Sequence, residues 1–262
     1  MSFLVNPYSY AGCTDTDALA FLAAAGITDA TITSAICALV TTMKADGTWA
    51  KMSAIYPMVG GTATTHKFNL KNPLDTNAAF RLSFNGGWTH SANGALPNGT
   101  NTFANTFFNP SANSSQNSHH ISYYSRTNSN LTEVESGGAT TTQGSVLEIR
   151  TSNITYFRIN SSTLYTTAAD TDSRGNYIAN RTASNLINGW RNSTKIATGT
   201  TASSALVNLN YYIGAMNNNG AIAFYSRKEC AFATIGSGLT DGEAALLYIS
   251  IQAFQTILGR QV

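Results

Sequence analysis

The chain has 262 residues, of which only 11% are charged and 43% are hydrophobic. Ser, Thr and Asn make up about a third of it, so its polar surface is mostly neutral. A formal charge of +2 excludes a protein that tracks phosphate backbones, and the aromatic and β-branched content excludes simple disorder.

Residues 1–12 read as an extended arm. Phe3, Leu4, Val5, Tyr8 and Tyr10 are five large groups that so short a segment cannot bury against itself. The expectation is that they dock on another subunit or on a particle, in a homo-oligomer, with a trimer favoured. The arm has no basic stretch followed by an apolar core, so no secretory signal is expected there, and no run is long enough for a membrane span. Thr14-Asp-Thr-Asp17 supplies caps for a helix that Gly26 stops. Thr28-Asp29 caps a second, with Ile32, Ala35, Ile36, Leu39, Val40 and Met43 at helical spacing. Cys13, Cys37 and Cys230 are an odd, widely spaced set, and Cys37, among apolar neighbours, reads as a buried free thiol.

From Trp49 onward the pattern turns to short β-branched and aromatic runs: 52–58, 79–84, 120–126, 146–150, 154–159, 177–181, 184–191, 211–215 and 222–227. Gly60-Gly61, Asn85-Gly86-Gly87, Asn98-Gly99 and Gly137-Gly138 read as turns between them. The Asn-, Ser- and Gly-rich stretch 85–118 is too long for a structureless loop, so short strands are expected within it. Nine or more strands without intervening helices predict an antiparallel sandwich or barrel. Thr240 and Glu243 form a capping box that opens a terminal helix running to about Leu258. The expected organisation is an N-terminal arm and helical pair over 1–48, serving assembly, and a β domain over 49–262.

Two blocks carry a family resemblance. Ser184-Asn-Leu-Ile-Asn-Gly-Trp-Arg-Asn-Ser-Thr resembles a hairpin of the concanavalin A-like, laminin-G-type jelly roll. Tyr212-Ile-Gly, Ala231-Phe-Ala-Thr-Ile-Gly and Gly238-Leu-Thr-Asp-Gly-Glu resemble that family's last strands and closing helix. Ala54-Ile-Tyr-Pro-Met-Val-Gly-Gly, His66-Lys-Phe-Asn-Leu, Phe84-Asn-Gly-Gly-Trp-Thr-His and Ser122-Tyr-Tyr-Ser-Arg are similar to a domain of tailed-phage structural proteins of Bacteroidetes-type hosts. The resemblance implies a mainly β, two-sheet jelly-roll sandwich with a hairpin turn at Ile187-Asn188-Gly189. It further implies a virion surface protein (fibre, decoration or host-attachment module) that contacts other virion proteins and a host-surface glycan. A secreted bacterial lectin is the alternative, and a glycan-cleaving enzyme the third reading. Such domains also hold calcium through scattered oxygens; no residue here is assigned to it.

Hydrolases of this fold class need two carboxylates facing each other across a sugar. Glu133 and Glu135 share a strand face, but the Glu-x-Asp-x-x-Glu pattern is missing, and they read as solvated carboxylates at a hairpin end. Glu148 reads as a surface partner of Arg150. Asp170-Thr-Asp-Ser-Arg-Gly-Asn opens like a calcium loop, yet Arg174 and Arg181 stand at ligand positions, so a solvated turn is expected. His119 and His120 must point to opposite strand faces, and His66 and His90 are isolated, so neither a metal centre nor a catalytic residue is assigned. What remains is neutral recognition by aromatic and amide side chains: Trp88, His90, Asn93, Tyr123, Tyr124, Asn217, Asn218 and Asn219 are the glycan-binding candidates.

Overall fold

A computed structural model describes residues 12–162 and 165–262, so the candidate assembly residues Phe3, Leu4, Val5, Tyr8 and Tyr10 lie outside the described residues. The chain opens with α1 (Thr16–Ala25) and α2 (Ala30–Ala45). The Asp15 side chain accepts the Asp17 and Ala18 N–H groups, and Gly26 ends α1 in the left-handed region. Asp29 caps α2 through the Ile32 N–H at 2.9 Å.

Next come β1 (Met52–Tyr56), α3 (Ala63–His66), β2 (Ser83–Asn85), β3 (Thr89–Ser91), β4 (Gly94–Leu96), β5 (Phe103–Asn105) and α4 (Pro110–Asn113). The long neutral stretch therefore does contain short strands. The longer strands follow: β6 (His119–Ser125), β7 (Ser136–Ala139), β8 (Gly144–Thr151), β9 (Ile154–Ser161) and β10 (Thr166–Ala169). After them come β11 (Gly175–Ala183), β12 (Leu186–Arg191), β13 (Thr194–Gly199), β14 (Tyr212–Ile213), β15 (Met216–Asn218), β16 (Ala221–Ala223) and β17 (Cys230–Gly236). Helix α5 (Asp241–Ile257) closes the fold, with Thr240 and Glu243 bonded reciprocally as the capping box requires.

The strands make two sheets. One runs β13-β12-β11-β6-β17-β4-β3, with β1 also on β17; the other runs β10-β9-β8-β7-β14-β5-β2, with β15 and β16 attached at β7. Pairing is antiparallel save for a short parallel match of β15 with β7. This is the expected mainly β sandwich with N-terminal helices and a C-terminal helix.

Cover on both faces of the first sheet sets the packing. Its inner face meets the second sheet in a core that includes Tyr123, Tyr177, Ile235, Leu147 and Phe157. Its outer face meets α1, α2 and α5 in a second core, with Tyr124, Ile178, Trp190 and Phe232 from the strands and Phe21, Ile36, Leu247 and Ile251 from the helices. All seven residues of β6 and of β17 are consequently buried.

Several local expectations change. Gly137-Gly138 is not a turn but the middle of β7, paired with Val146 and Ser145. Asn188-Gly189 is also mid-strand, opposite Asn180 and Ala179. Gly189 is needed there for space, because a Cβ would stand 2.3 Å from the Phe157 ring across the core. Cys37 is not a free thiol: it is bonded to Cys13, tying the entry of α1 to α2, and the free cysteine is the buried Cys230. Arg150 does not pair with Glu148. A bulge between Glu148 and Thr151 turns it to the Asn128 and Asn153 amide oxygens.

Two buried arginines clamp the fold. Arg181 donates to the carbonyls of Ile159, Ala183, Ser184 and Thr201. Arg260 reaches those of Pro57, Met58, Ala92 and Ala231, joining the C-terminal segment to the first sheet. Burial lowers their pKa to about 10 and about 9, so both stay charged at neutral pH.

Candidate functional site

The eight glycan-binding candidates fall in three places. Tyr123 and Tyr124 are core residues without exposed surface, and neither can stack on a ligand. Tyr123 points between the sheets and donates to the Lys228 carbonyl at 2.5 Å; the hydroxyl of Tyr124 reaches Gln252 on the helical side. Alternation placed them on opposite faces, and both faces are covered. Asn217 is buried, its amide donating to the Asn210 carbonyl and accepting from the Gly220 N–H, so it builds the turn that exposes Asn218 and Asn219.

Trp88 and His90, on and beside β3, do come together. Their rings are 6.4 Å apart, and Phe84 meets both edge-on, at 5.3 and 4.6 Å. Nδ1 of His90 lies 2.9 Å from Nδ1 of buried His66. Burial drives the His66 pKa down to about 3, helped by His90 and Arg260, so the pair is neutral and one ring donates to the other. Asn93 lies in the exposed β3–β4 turn, its N–H bonded to Ser91 Oγ. Trp88 is partly exposed, and among the described residues its indole N–H has no acceptor.

Trp88 packs on Gly214, whose carbonyl accepts the Ser226 N–H at 2.9 Å. Ser226 begins a charged cluster that the sequence reading placed wrongly. Glu133 and Glu135 are not solvated: neither has any exposed surface. Lys228 lies between them, its Nζ 3.0 Å from Glu133 and 3.1 Å from Glu135. The second oxygen of Glu135 accepts the Ile149 N–H at 2.6 Å, and its first also takes the Ser226 hydroxyl at 3.0 Å. Glu133 binds Arg227 Nη1 at 2.8 Å. Burial raises the Glu135 pKa to about 7, against the pull of Lys228. Burial alone would lower Lys228, but the two facing carboxylates outweigh it and raise its pKa. The carboxylates come from one loop and the cations from another some 95 residues later, which is why local sequence carried no sign of the network.

Above this network the surface is open. Arg227 is 48% exposed, and its side chain lies across Gly99, where a Cβ would come 2.4 Å from it. Gly99 also has φ of +73°, so the position requires glycine twice over. Asn98 shapes that loop by accepting the Thr100 and Asn101 N–H groups. Phe224 adds an exposed ring, held at a φ of +55°. At the β8–β9 turn, Arg150, Ser152 and Asn153 all have positive φ, and Arg150 is held by amide oxygens alone.

The Asp170 loop is not a solvated turn either. Asp170 is buried and accepts from Thr155, Tyr177 and the Asp172 N–H, with Arg191 at 3.6 Å. Its oxygens are thus engaged by protein donors. Among the described residues no three His, Cys, Asp or Glu side chains converge as metal ligands. His119 stacks on Phe108 and His120 bonds Thr234 and the Ser237 carbonyl, on opposite faces of β6.

The fold defines a mainly β, two-sheet antiparallel sandwich with helices at both ends of the described chain. No family model and no curated protein matches the sequence. Among solved structures, a Trypanosoma rangeli sialidase mutant displaying trans-sialidase activity is similar, with a TM-score of 0.56, 11% identity, and coverage of 85% of this chain and 39% of that one. The same sialidase in complex with sialic acid gives 0.50 at 9% identity, covering 82% and 38%. A carbohydrate-binding module of Ruminococcus gnavus sialidase gives 0.39 at 15% identity, covering 52% and 84%. This chain therefore spans well under half of the two full sialidases.

Proposed function

We propose that this chain is a non-enzymatic glycan-binding module whose binding surface is the rim formed by Trp88, the 98–101 loop and the 224–227 segment. One observation carries the reading. The two carboxylates that could serve as acid and nucleophile are buried in ion pairs with Lys228, while the aromatic, amide and guanidinium groups above them face solvent. The likeness to sialidases supports the architecture, and the chemistry of the rim supports the glycan.

An immobilised-glycan panel with the purified chain tests this. The expected result is retention on at least one glycan, loss of that retention in Trp88→Ala, and no reducing sugar released from polysaccharides. Hydrolysis that disappears in Glu135→Gln would overturn the non-enzymatic part, and no retention on any glycan would overturn the binding part.

A place on the surface of a phage particle, as a homo-oligomer among other virion proteins, rests on the sequence resemblance and the apolar arm. A cryo-EM map of the parent particle, with sedimentation of chains with and without residues 1–12, tests that placement. The Cys13–Cys37 disulfide supports a working site in an oxidising medium, which a secreted lectin and a released virion share.

A further inference from the structure

We propose that Arg227 anchors the carboxylate of an acidic sugar, which names the ligand class of the glycan rim and rests on that reading.

The guanidinium is half committed. Among the described residues its side chain makes one hydrogen bond, from Nη1 to Glu133, and the rest of the group faces solvent. Glu133 cannot turn away, because Lys228 holds its other oxygen at 3.0 Å with no exposed surface on either partner. Arg227 is also pressed along the backbone of Gly99. Its orientation is thus set before a ligand arrives, which lowers the entropy of ordering a long side chain on binding. A fixed guanidinium edge presents parallel N–H donors, the geometry that matches the two oxygens of a carboxylate.

The surroundings favour an anion. The carboxylates nearest Arg227 are buried beneath it and already paired. The exposed loop beside it carries no charge: its Asn98, Thr100 and Asn101 side chains bond one another and put no carboxylate in the way of an anion. A neutral sugar would leave the Arg227 charge as it is in water, whereas a carboxylate gains from it.

Calorimetric titration tests this with 3′-sialyllactose, a hyaluronan hexasaccharide and trigalacturonate, each against its carboxyl-reduced form. The expected result is binding of at least one acidic oligosaccharide, weakened tenfold or more by reduction and by Arg227→Gln, with Arg227→Lys intermediate. Arg174→Gln removes a cation of matching exposure, 49% against 48%, that is paired only with Asp172, and should bind as the unmodified chain does. Equal affinity for the reduced forms, or an Arg227→Gln variant that binds normally, would overturn the proposal and leave glycan binding standing. Preference for a sulfated carrageenan oligosaccharide over every carboxylated one would overturn the carboxylate assignment. No binding to any acidic or neutral glycan would overturn the glycan-binding reading itself, and this inference with it.

Discussion

Nζ of Lys228 stands 3.1 Å from Oε1 of Glu135, and neither side chain has any surface in contact with solvent. An ion pair so placed is a liability when broken, because the surviving charge keeps its desolvation cost without its partner. Lys228→Met leaves Glu133 and Glu135 facing each other. The expected loss is about 3–5 kcal/mol in guanidinium denaturation. The triple variant Glu133→Gln, Glu135→Gln, Lys228→Met should recover most of it, since no buried charge is then stranded. A loss below about 1 kcal/mol for the single change would show that the network is not held together as described.

Stability should rise from acid to neutral pH and then level off. Burial lowers the pKa of His66 and His119 to about 3 and of His120 to about 4, while the unfolded chain takes up these protons near 6.5. Their contribution is complete above pH 6.5 and is lost as pH falls toward those values. Glu135 acts in the opposite sense: its pKa is raised to about 7, so it is protonated in the folded chain over a range where the unfolded chain has already ionised. Its contribution is full below about pH 4.5 and declines as pH rises to 7. Three histidines outweigh one glutamate at every pH up to about 7, and above it the two effects nearly cancel. Denaturation midpoints across pH 4–9 should therefore rise steeply from the acid side and level off at about pH 7. Glu135→Gln should make the rise between about pH 4.5 and 7 steeper, because the opposing group is gone.

Gly189→Ala probes the contact between the sheets. The added methyl would enter the Phe157 ring at 2.3 Å, and β12 cannot move away because β11 and β13 hold it on both sides. The expected cost is about 1–3 kcal/mol, read as a lower melting temperature. Adding Phe157→Leu should restore part of it by making room. An unchanged melting temperature for the single variant would mean that the sheets do not approach so closely.

Reduction should loosen the helical layer. Cys13 and Cys37 close a segment with a sequence separation of 24, and removing such a link costs about 2–4 kcal/mol. Thermal melts with and without dithiothreitol should differ accordingly, and a Cys13→Ser, Cys37→Ser variant should melt like the reduced chain in either buffer. Cys230 is buried and its pKa is raised by that burial, so a thiol reagent should find it only after unfolding. One thiol in the denatured chain and none in the native one is the expected count. Two further thiols in the unreduced denatured chain would exclude the disulfide.

Elements set by neighbours a few residues away were legible in the sequence. The caps of α1, α2 and α5 are bonds between groups two or three residues apart, so Asp15, Asp29 and the Thr240–Glu243 pair announce them unaided. Short β-rich runs between Gly and Asn clusters likewise sufficed for a sandwich. Turn chemistry alone misled at Gly137-Gly138 and Asn188-Gly189, where glycine answers a crowded neighbour across the sheet or across the core. Period-two alternation put Tyr123 and Tyr124 on opposite faces, but it carries no information about what covers a face. Strand β6 is buried on both sides because the second sheet lies on one and α5, more than 100 residues later, lies on the other. Glu133 and Glu135 look like solvated carboxylates until Lys228 arrives from a distant loop. Burying them is tolerable only because the fold delivers a cation to within 3.1 Å, and that delivery belongs to the topology of the sheets.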